Sequence, residues 1–337
     1  MLNILSLILS VFKQFLMSKA TVMGEQIIAA IETGQSIDSI KLTMNVSNDE
    51  WFKFSSKANQ LYLEKQIKNR KAILSKPNTS GASKEEMDKL IKVNDTLADY
   101  ALCMNIFTTQ PEVDYAIKLI ASLPDSKLEL IQLISNITMH PKLRVLQKKG
   151  RIEKLPHFNL FTKMVDAATI SYYRQNYISC YMTLLPVIEG IIIRWMGFEP
   201  TDDKPPFEKI RSFLRKTIQR QPCPYNILFH NIFIKACDKI INDHFYKPSS
   251  DGLAYGNFNR HVASHILNNE EFANKENCFR LFLLIDTMTE IYINEGRQYD
   301  HRFDLGREDT DEEVKLYFDI ISSNSLESPE YKLLIDC

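Results

Sequence analysis

Two histidines and an arginine lie close together toward the C-terminal end of the chain, in the stretch YGNFNRHVASHILNN. Four polar residues of this stretch could do chemistry together: Asn259, Arg260, His261 and His265. Arginine binds phosphate through a planar, permanently charged guanidinium, and histidine gains or loses a proton near neutral pH. An arginine beside a histidine could therefore cleave a phosphodiester, and two histidines four residues apart could also bind a metal ion.

Helix geometry separates the possible pairings. Asn259 is a favourable N-cap, so a helix beginning there has Arg260 and His261 in its first turn, where free backbone N–H groups bind phosphate. His261 and His265 are then about 40° apart around the helix axis, whereas Arg260 and His265 are about 140° apart. The second pair converges only if Arg260 lies in an irregular first turn, or if two copies of the motif face each other across a dimer.

Three interpretations of the stretch stay open on spacing alone. As a metal site, His261 and His265 share a helix face, but the glutamate of the HExxH motif is missing and a further ligand is needed. As a structural feature, Asn259 caps the helix, Arg260 pairs with a carboxylate, and the histidines are ordinary core or surface residues. As a catalytic site, the arginine and a histidine act on a phosphodiester beside the helix N-terminus.

Composition predicts that helices position these residues. The chain has 337 residues, of which 45% are hydrophobic and 25% charged, the balance of a folded soluble protein. Glycine (10) and proline (13) are scarce, and apolar residues recur at spacings of three and four, so we expect an all-α fold. The net charge of −1 excludes general electrostatic attraction to nucleic acid, so any such contact requires a local patch.

Breaks in the helical pattern predict four parts. We expect N-terminal helices over 1–75, a second helical region over 76–155 after a Ser/Pro/Gly linker, a helical bundle over 156–297, and an acidic helical tail over 298–337. The opening segment MLNILSLILSVFKQFLM is predicted to be an amphipathic helix that packs on the chain or on a second copy, with a membrane-surface role as the alternative. Six scattered cysteines without close pairing favour a reducing cytoplasm.

Charge is unevenly distributed along the chain. The runs Lys142–Lys154 and Lys204–Arg220 each hold six basic residues and one acid, whereas Asp300–Glu313 holds seven acids and two arginines. Basic runs are typical of solvated surfaces and also of nucleic-acid contacts. The candidate nucleic-acid-binding residues are Lys148, Lys149, Lys209, Arg211, Arg215 and Lys216. In the acidic part, Thr310 and Glu313 fit a capping box at the start of an amphipathic tail helix.

One acidic residue lies among apolar neighbours on a predicted core helix. The stretch SYYRQNYISCYMTLLPVIEGIIIRWMG is apolar over a wide helical face, which indicates a central helix. Glu189 lies on one of its apolar stripes, and a buried carboxylate needs a partner. We expect Arg260 to be that partner. Glu189 then either anchors the motif loop or caps a neighbouring helix, or it has a direct catalytic or orienting role.

The motif and the core helix together resemble the HEPN superfamily (higher eukaryote and prokaryote nucleotide-binding), whose members carry R-x4-6-H motifs. Arg260 to His265 forms R-x4-H within NRHVASHILNN, ahead of a Leu-rich helix, and TLLPVIEGII is similar to the family's core helix. The resemblance covers about residues 158–297. One departure is Ile266, where many relatives have glycine after the last histidine of the motif.

The resemblance implies a metal-independent ribonuclease, often a toxin or antiviral effector, that acts as a dimer with the two motifs facing each other. On this basis Arg260 and His265 form the active pair. His265 activates the ribose 2′-hydroxyl or protonates the leaving oxygen, and Arg260 stabilises charge on the phosphate. His261 occupies the polar position after the arginine, and Asn259 holds the turn.

Two hypotheses of different classes follow. The first is a bacterial-type cytoplasmic endoribonuclease in a toxin or phage-defence setting, which binds RNA, forms a homodimer and needs neither a metal nor a small-molecule cofactor. The second is a non-catalytic helical scaffold with a degenerate HEPN-like domain. The scaffold would bind a protein partner through its N-terminal helices or its acidic C-terminal helices.

Overall fold

Every regular element in the part of the chain that the structure describes is a helix, which confirms the all-α prediction. The structure is a computed structural model and describes residues 19–74, 84–104, 108–248, 257–264, 272–296 and 298–323. The apolar opening segment lies outside the described residues, and so do His265 and Ile266.

The chain divides into two compact units. One unit comprises Met1–Lys76 with Ile218–Cys223, and the other comprises Pro77–Thr217 with Pro224–Cys337. The predicted boundary at residue 75 lies at the edge of the first unit. The predicted divisions at residues 155 and 297 fall inside the second unit, because helices on both sides of them share one core.

Within residues 19–74, the first unit contains three helices with a small apolar core. Helix α1 spans residues 19–32, and is followed by α2 (Ile37–Met44) and α3 (Asn48–Leu74). The Ser47 hydroxyl accepts a hydrogen bond from the Glu50 N–H, and the Glu50 carboxylate accepts one from the Ser47 N–H. These reciprocal bonds form a capping box, which fixes where the long helix α3 begins.

The second unit is a larger helical bundle with short π-helical and 3-10 turns between its helices. The bounds of its helices are α4 Lys84–Ala98, α5 Gln110–Ala121, α6 Lys127–Thr138, α7 Pro141–Gln147, α8 Thr162–Tyr173, α9 Tyr177–Trp195, α10 Phe207–Phe213, α12 Ile227–Lys239, α13 Arg260–Ser264, α14 Lys275–Gly296 and α15 Arg307–Ser323. The short helix α11, Thr217–Arg220, lies mostly in the segment Ile218–Cys223 that belongs to the first unit. A π-helical turn, Lys148–Ile152, extends α7, and another, Ile240–Phe245, extends α12. A 3-10 turn, His301–Asp304, precedes α15.

Helices α9 and α14 form the centre of this bundle and pack against each other. The predicted core helix is confirmed as α9, which begins after the Asn176 side chain caps it through the Ser179 N–H. Within the described residues, α9 is the one helix long and apolar enough to cross a membrane by length and composition. Half of this apolar stretch of α9 is buried inside the fold, which is typical of a core helix.

A buried ion network joins α14 to the elements around it. Arg151 contacts Glu290 at 3.0 Å and Asp300 at 2.7 Å, and Arg302 contacts the same two carboxylates at 3.0 and 2.7 Å. We call these four residues the closed network. A Cβ atom added to Gly150 would lie 2.5 Å from the Arg302 side chain, so only glycine leaves room for Arg302.

The start of α15 differs from the sequence prediction. The Gly306 N–H donates to the Asp309 side chain at 2.9 Å, and the Thr310 hydroxyl donates to the Gly306 carbonyl at 3.0 Å. The predicted capping box is wrong, because the helix begins at Arg307 and Glu313 instead pairs with Lys148 at 2.6 Å. The Glu313 carboxylate thus pairs with Lys148, 165 residues away along the chain, rather than with a backbone N–H at the start of its own helix.

Candidate nucleic-acid-binding groove

Asn259 fixes the start of the short helix α13. Its side-chain oxygen accepts hydrogen bonds from the N–H groups of His261 at 2.8 Å and Val262 at 3.2 Å, which confirms the predicted N-cap. Its amide nitrogen donates to the carbonyls of His244 and Lys247 at 3.3 and 2.8 Å. The buried asparagine therefore anchors the motif to the chain that leaves the α12 extension.

Arg260 extends from this anchored turn to the buried carboxylate of Glu189 on α9. Its Nη2 lies 3.2 Å from Glu189 Oε2, so the partner predicted for Glu189 is the one observed. The other carboxylate oxygen of Glu189 lies 2.5 Å from Lys204 Nζ. Two cations share one carboxylate, which leaves an excess positive charge at this position.

The rest of the Arg260 side chain borders an open groove of about 380 Å³. Its side chain is 26% exposed, and among the described residues Glu189 is its one hydrogen-bond partner. The groove is lined by α10 (Phe207, Glu208, Arg211), by the chain after α12 (Tyr246, Lys247, Pro248) and by α13 (Arg260, His261). We call it the Arg260 groove. Three permanent cations and one exposed acid make it net positive at neutral pH.

Two aromatic rings form part of the groove wall. Phe207 is 41% exposed, and its ring meets that of Tyr246 edge to face with centroids 4.9 Å apart. The guanidinium carbon of Arg211 lies 5.9 Å from the Phe207 ring centroid. Tyr246 is buried, and burial followed by the charge of Glu189 raises the pKa of its hydroxyl, so the group is neutral at physiological pH. The wall therefore offers an exposed aromatic face next to positive charge.

Of the two histidines of the motif, the structure describes His261 and not His265. His261 is exposed and lines the Arg260 groove beside Arg260. His265 lies outside the described residues, so the distance between Arg260 and His265 stays untested. Within the described ranges, no three or more His, Cys, Asp or Glu side chains cluster as a metal site would require. With five residues of α13 described, the case for anion binding here rests on the Arg260 side chain rather than on a helix dipole.

The two basic runs differ in how much of their positive charge is paired with carboxylates inside the fold. In the first run, Lys148 contacts Asp166 at 2.9 Å and Glu313 at 2.6 Å, and Lys149 contacts Glu313 at 3.6 Å. Arg144 and Arg151 of the same run are buried against acids of α14. Cations held this way by fixed carboxylates have little charge left for RNA, so the geometry favours a structural role for Lys148 and Lys149.

The second run keeps more of its charge at the surface. Lys209 and Lys216 are exposed, Arg211 contacts exposed Glu208 at 3.3 Å, and Arg215 contacts Asp238 at 3.2 Å. Of these four, Arg211 lines the Arg260 groove. Lys209, Arg215 and Lys216 therefore remain candidates for a wider electrostatic surface rather than for the groove itself.

Four residues of this region were not predicted as site residues: Lys204, Phe207, Tyr246 and Lys247. Lys204 was counted in the basic run, but nothing in its sequence position indicates that it shares Glu189 with Arg260. Phe207 follows two prolines at a helix start, which is a weak signal of exposure in an aromatic residue.

Comparisons with protein-family models, with curated proteins and with solved structures find no match to this chain. The resemblance to the HEPN superfamily therefore rests on the motif and core-helix residues quoted above.

Proposed function

We propose that the chain is an endoribonuclease that binds RNA in the Arg260 groove. The observation that carries this proposal is the position of Arg260, with one edge of its guanidinium held by a buried carboxylate and the remainder bordering a positive groove. A pre-oriented arginine binds a phosphate at lower entropic cost than a mobile one. An exposed aromatic face beside it suits an unpaired base.

The proposed reaction uses the RNA's own 2′-hydroxyl as the nucleophile. The 2′-oxygen forms a bond to phosphorus, the bond from phosphorus to the 5′-oxygen breaks, and a 2′,3′-cyclic phosphate results. Arg260 stabilises the charge that develops on the phosphate oxygens. His265, assigned from the motif, takes the 2′-proton or supplies a proton to the leaving oxygen. Because the nucleophile is already part of the substrate, no metal-activated water is required.

Dimerisation and biological setting are further parts of the proposal. Two residues at the spacing of Arg260 and His265 would lie about 140° apart on one regular helix, so a second copy facing the first is the simplest way to complete the pair. We propose a cytoplasmic homodimer that acts in a toxin or phage-defence setting. Sedimentation of the purified chain across a concentration series tests the dimer directly, and a monomer that cleaves RNA at full rate would contradict it.

The experiment that tests the function is cleavage of a single-stranded RNA in EDTA. The wild-type protein is expected to cleave, and Arg260→Ala and His265→Ala are expected not to. Arg307→Ala and His140→Ala are matched controls, because both residues are exposed and neither lines the Arg260 groove. Equal rates for all five proteins would show that the activity belongs to a contaminant or to another site.

A non-catalytic scaffold is the second candidate function. It is favoured by the ion pair that holds Arg260 to Glu189, and by exposed apolar side chains on α15, including Leu316 and Phe318. If the chain is a scaffold of this kind, the purified protein is expected neither to cleave nor to bind single-stranded RNA. Binding without cleavage would instead indicate a degenerate site that keeps its groove.

A further inference from the structure

A second groove, of about 1070 Å³, lies along α15 and is independent of the Arg260 groove. Its other wall is formed by residues of α8 and of the π-helical turn that follows α7. No part of the proposed ribonuclease mechanism uses it. We call it the α15 groove.

Acidic side chains border this groove. Glu308, Glu312 and Asp319 line it from α15, and all three are exposed. Across the described ranges none of these three carboxylates is held in an ion pair. Glu153, on the opposite wall, is also exposed. Carboxylates that remain solvated and unpaired are available to a partner with positive charge.

The basic residues of the groove do not cancel this charge. Lys148 lies between Asp166 and Glu313, at 2.9 and 2.6 Å, and Lys149 contacts Glu313 at 3.6 Å. These lysines neutralise the inner acids and leave the outer ones uncompensated. Lys154 is the one further cation in the lining, so the groove as a whole stays net negative.

Apolar side chains lie between the acids. Leu316 is 54% exposed and Ile170, across the groove on α8, is 36% exposed. Ile320 continues the apolar part of the lining one turn beyond Leu316. Glu308, Glu312, Leu316 and Ile320 follow one another at a spacing of four, so they form a single stripe along α15.

We propose that the α15 groove binds a basic amphipathic helix of a partner protein. A helix with apolar residues on one face and lysine or arginine beside them would bury Leu316 and Ile320 and bring its cations to Glu308, Glu312 and Asp319. Charge complementarity identifies this occupant, because the same carboxylates repel the phosphates of RNA. The proposal does not depend on ribonuclease activity.

The test uses a fluorescent helical peptide of leucine and lysine, with leucine at spacings of three and four, titrated with the full chain and followed by anisotropy. A matched peptide with glutamate in place of lysine is the control probe. The Leu/Lys peptide is expected to bind and the Leu/Glu peptide is expected not to. Raising ionic strength from about 0.01 M to about 0.15 M shortens the screening length from about 30 to about 8 Å, so binding is expected to weaken.

Paired substitutions on α15 separate groove binding from general attraction to an acidic helix. Glu312→Lys is expected to weaken peptide binding about tenfold, whereas Asp311→Lys, the same charge change at an exposed residue outside the groove, is expected to change it less than about twofold. Leu316→Ser is expected to weaken binding about fivefold, with Phe318→Ser as its control, since Phe318 is 45% exposed and does not line the groove.

Two results would overturn the proposal. Equal binding by the Glu312→Lys and Asp311→Lys proteins would show that the peptide is attracted to the helix in general. If the chain self-associates, and Glu312→Lys abolishes that association while Asp311→Lys does not, the occupant is a second copy rather than a partner protein. Neither result bears on RNA cleavage, so this proposal and the ribonuclease proposal fail independently.

Discussion

The closed network and the Arg260 groove use the same ion-pair chemistry with opposite outcomes. In the closed network, the side chains of Arg151 and Arg302 are at most 1% exposed, and each contacts both Glu290 and Asp300. Two positive charges there meet two negative charges. In the groove, Arg260 is 26% exposed, and its carboxylate is shared with Lys204, so positive charge is left over beside open space.

An ion pair alone therefore does not identify an arginine as structural. An arginine whose charge is fully paired inside the fold holds elements together. Arg302, for example, joins the 3-10 turn to α14 through Glu290 and to the end of α7 through Gln147. An arginine held by one edge keeps donors for a ligand. The comparison therefore predicts large stability effects from the closed network and large functional effects from the groove.

The largest expected stability effect comes from Arg302→Met. The substitution leaves the buried carboxylate of Glu290 and the partly buried one of Asp300 with one cation between them, and breaking such a network typically costs about 3–5 kcal/mol. The free energy of unfolding, measured by urea denaturation, should fall by that amount. Arg307→Met is the control, since Arg307 is exposed and lies five residues away on α15. A loss below about 1 kcal/mol for Arg302→Met would place the network among weak surface pairs.

Arg260→Ala should show the opposite pattern. Lys204 remains beside Glu189 in the variant, so the free energy of unfolding should fall by only about 1 kcal/mol. RNA cleavage should fall about 100-fold or more, as for other groups that stabilise transition-state charge. Parallel denaturation and cleavage measurements check both halves. A large stability loss that accounts for the lost cleavage would make Arg260 structural, like Arg302.

The closed network also predicts a pH dependence of stability. Burial alone would raise the pKa of Asp300, but hydrogen bonds and charge from Arg302 and Arg151 outweigh it and hold the pKa well below its usual range. A carboxyl with a lowered folded-state pKa adds stability above its unfolded pKa of about 3.9 and loses it as pH falls further. The stability difference between wild type and Asp300→Asn should therefore be full above about pH 5 and shrink below about pH 4.

Urea denaturation at several pH values measures this difference. Each pKa unit of depression corresponds to about 1.4 kcal/mol. A difference between the two proteins that stays constant from neutral pH into acid would show that Asp300 is not stabilised as a carboxylate.

Phe207→Ala gives the smallest of these effects. Stacking of one base on an aromatic ring is worth about 1–3 kcal/mol, so single-stranded RNA should bind about tenfold more weakly. Duplex RNA should be unaffected, because its bases are not available to stack. Phe303→Ala is the matched control, since Phe303 is 72% exposed and lies outside the groove. Equal weakening by both variants, measured by anisotropy, would remove the base-stacking role.

Local sequence patterns predicted the features that depend on neighbours along the chain. The helical class, the core helix α9, the Asn259 cap and the burial of Glu189 all follow from spacing or residue type within one element. The Glu189–Arg260 pair was also predicted, because a buried carboxylate needs a cation and Arg260 was the one in the motif.

Features that depend on partners far away along the chain could not be predicted from local sequence patterns. The run Lys142–Lys154 has a strong positive balance in sequence, yet Asp286, Glu290, Asp300 and Glu313 neutralise much of it from more than 130 residues away. The capping box at Thr310 failed for the same reason. The groove wall of Phe207 and Tyr246 brings together the starts and ends of different helices, which periodicity within one helix does not report.

We propose that RNA binds in the Arg260 groove and not along the run Lys142–Lys154. The binding site can be mapped by photo-crosslinking a 4-thiouridine oligonucleotide to the His265→Ala protein in EDTA, followed by mass spectrometry of the crosslinked peptides. We expect crosslinks at Phe207 and at residues 246–248, lost in the Arg260→Ala background. Crosslinks concentrated in residues 142–154, or unchanged by Arg260→Ala, would contradict the claim.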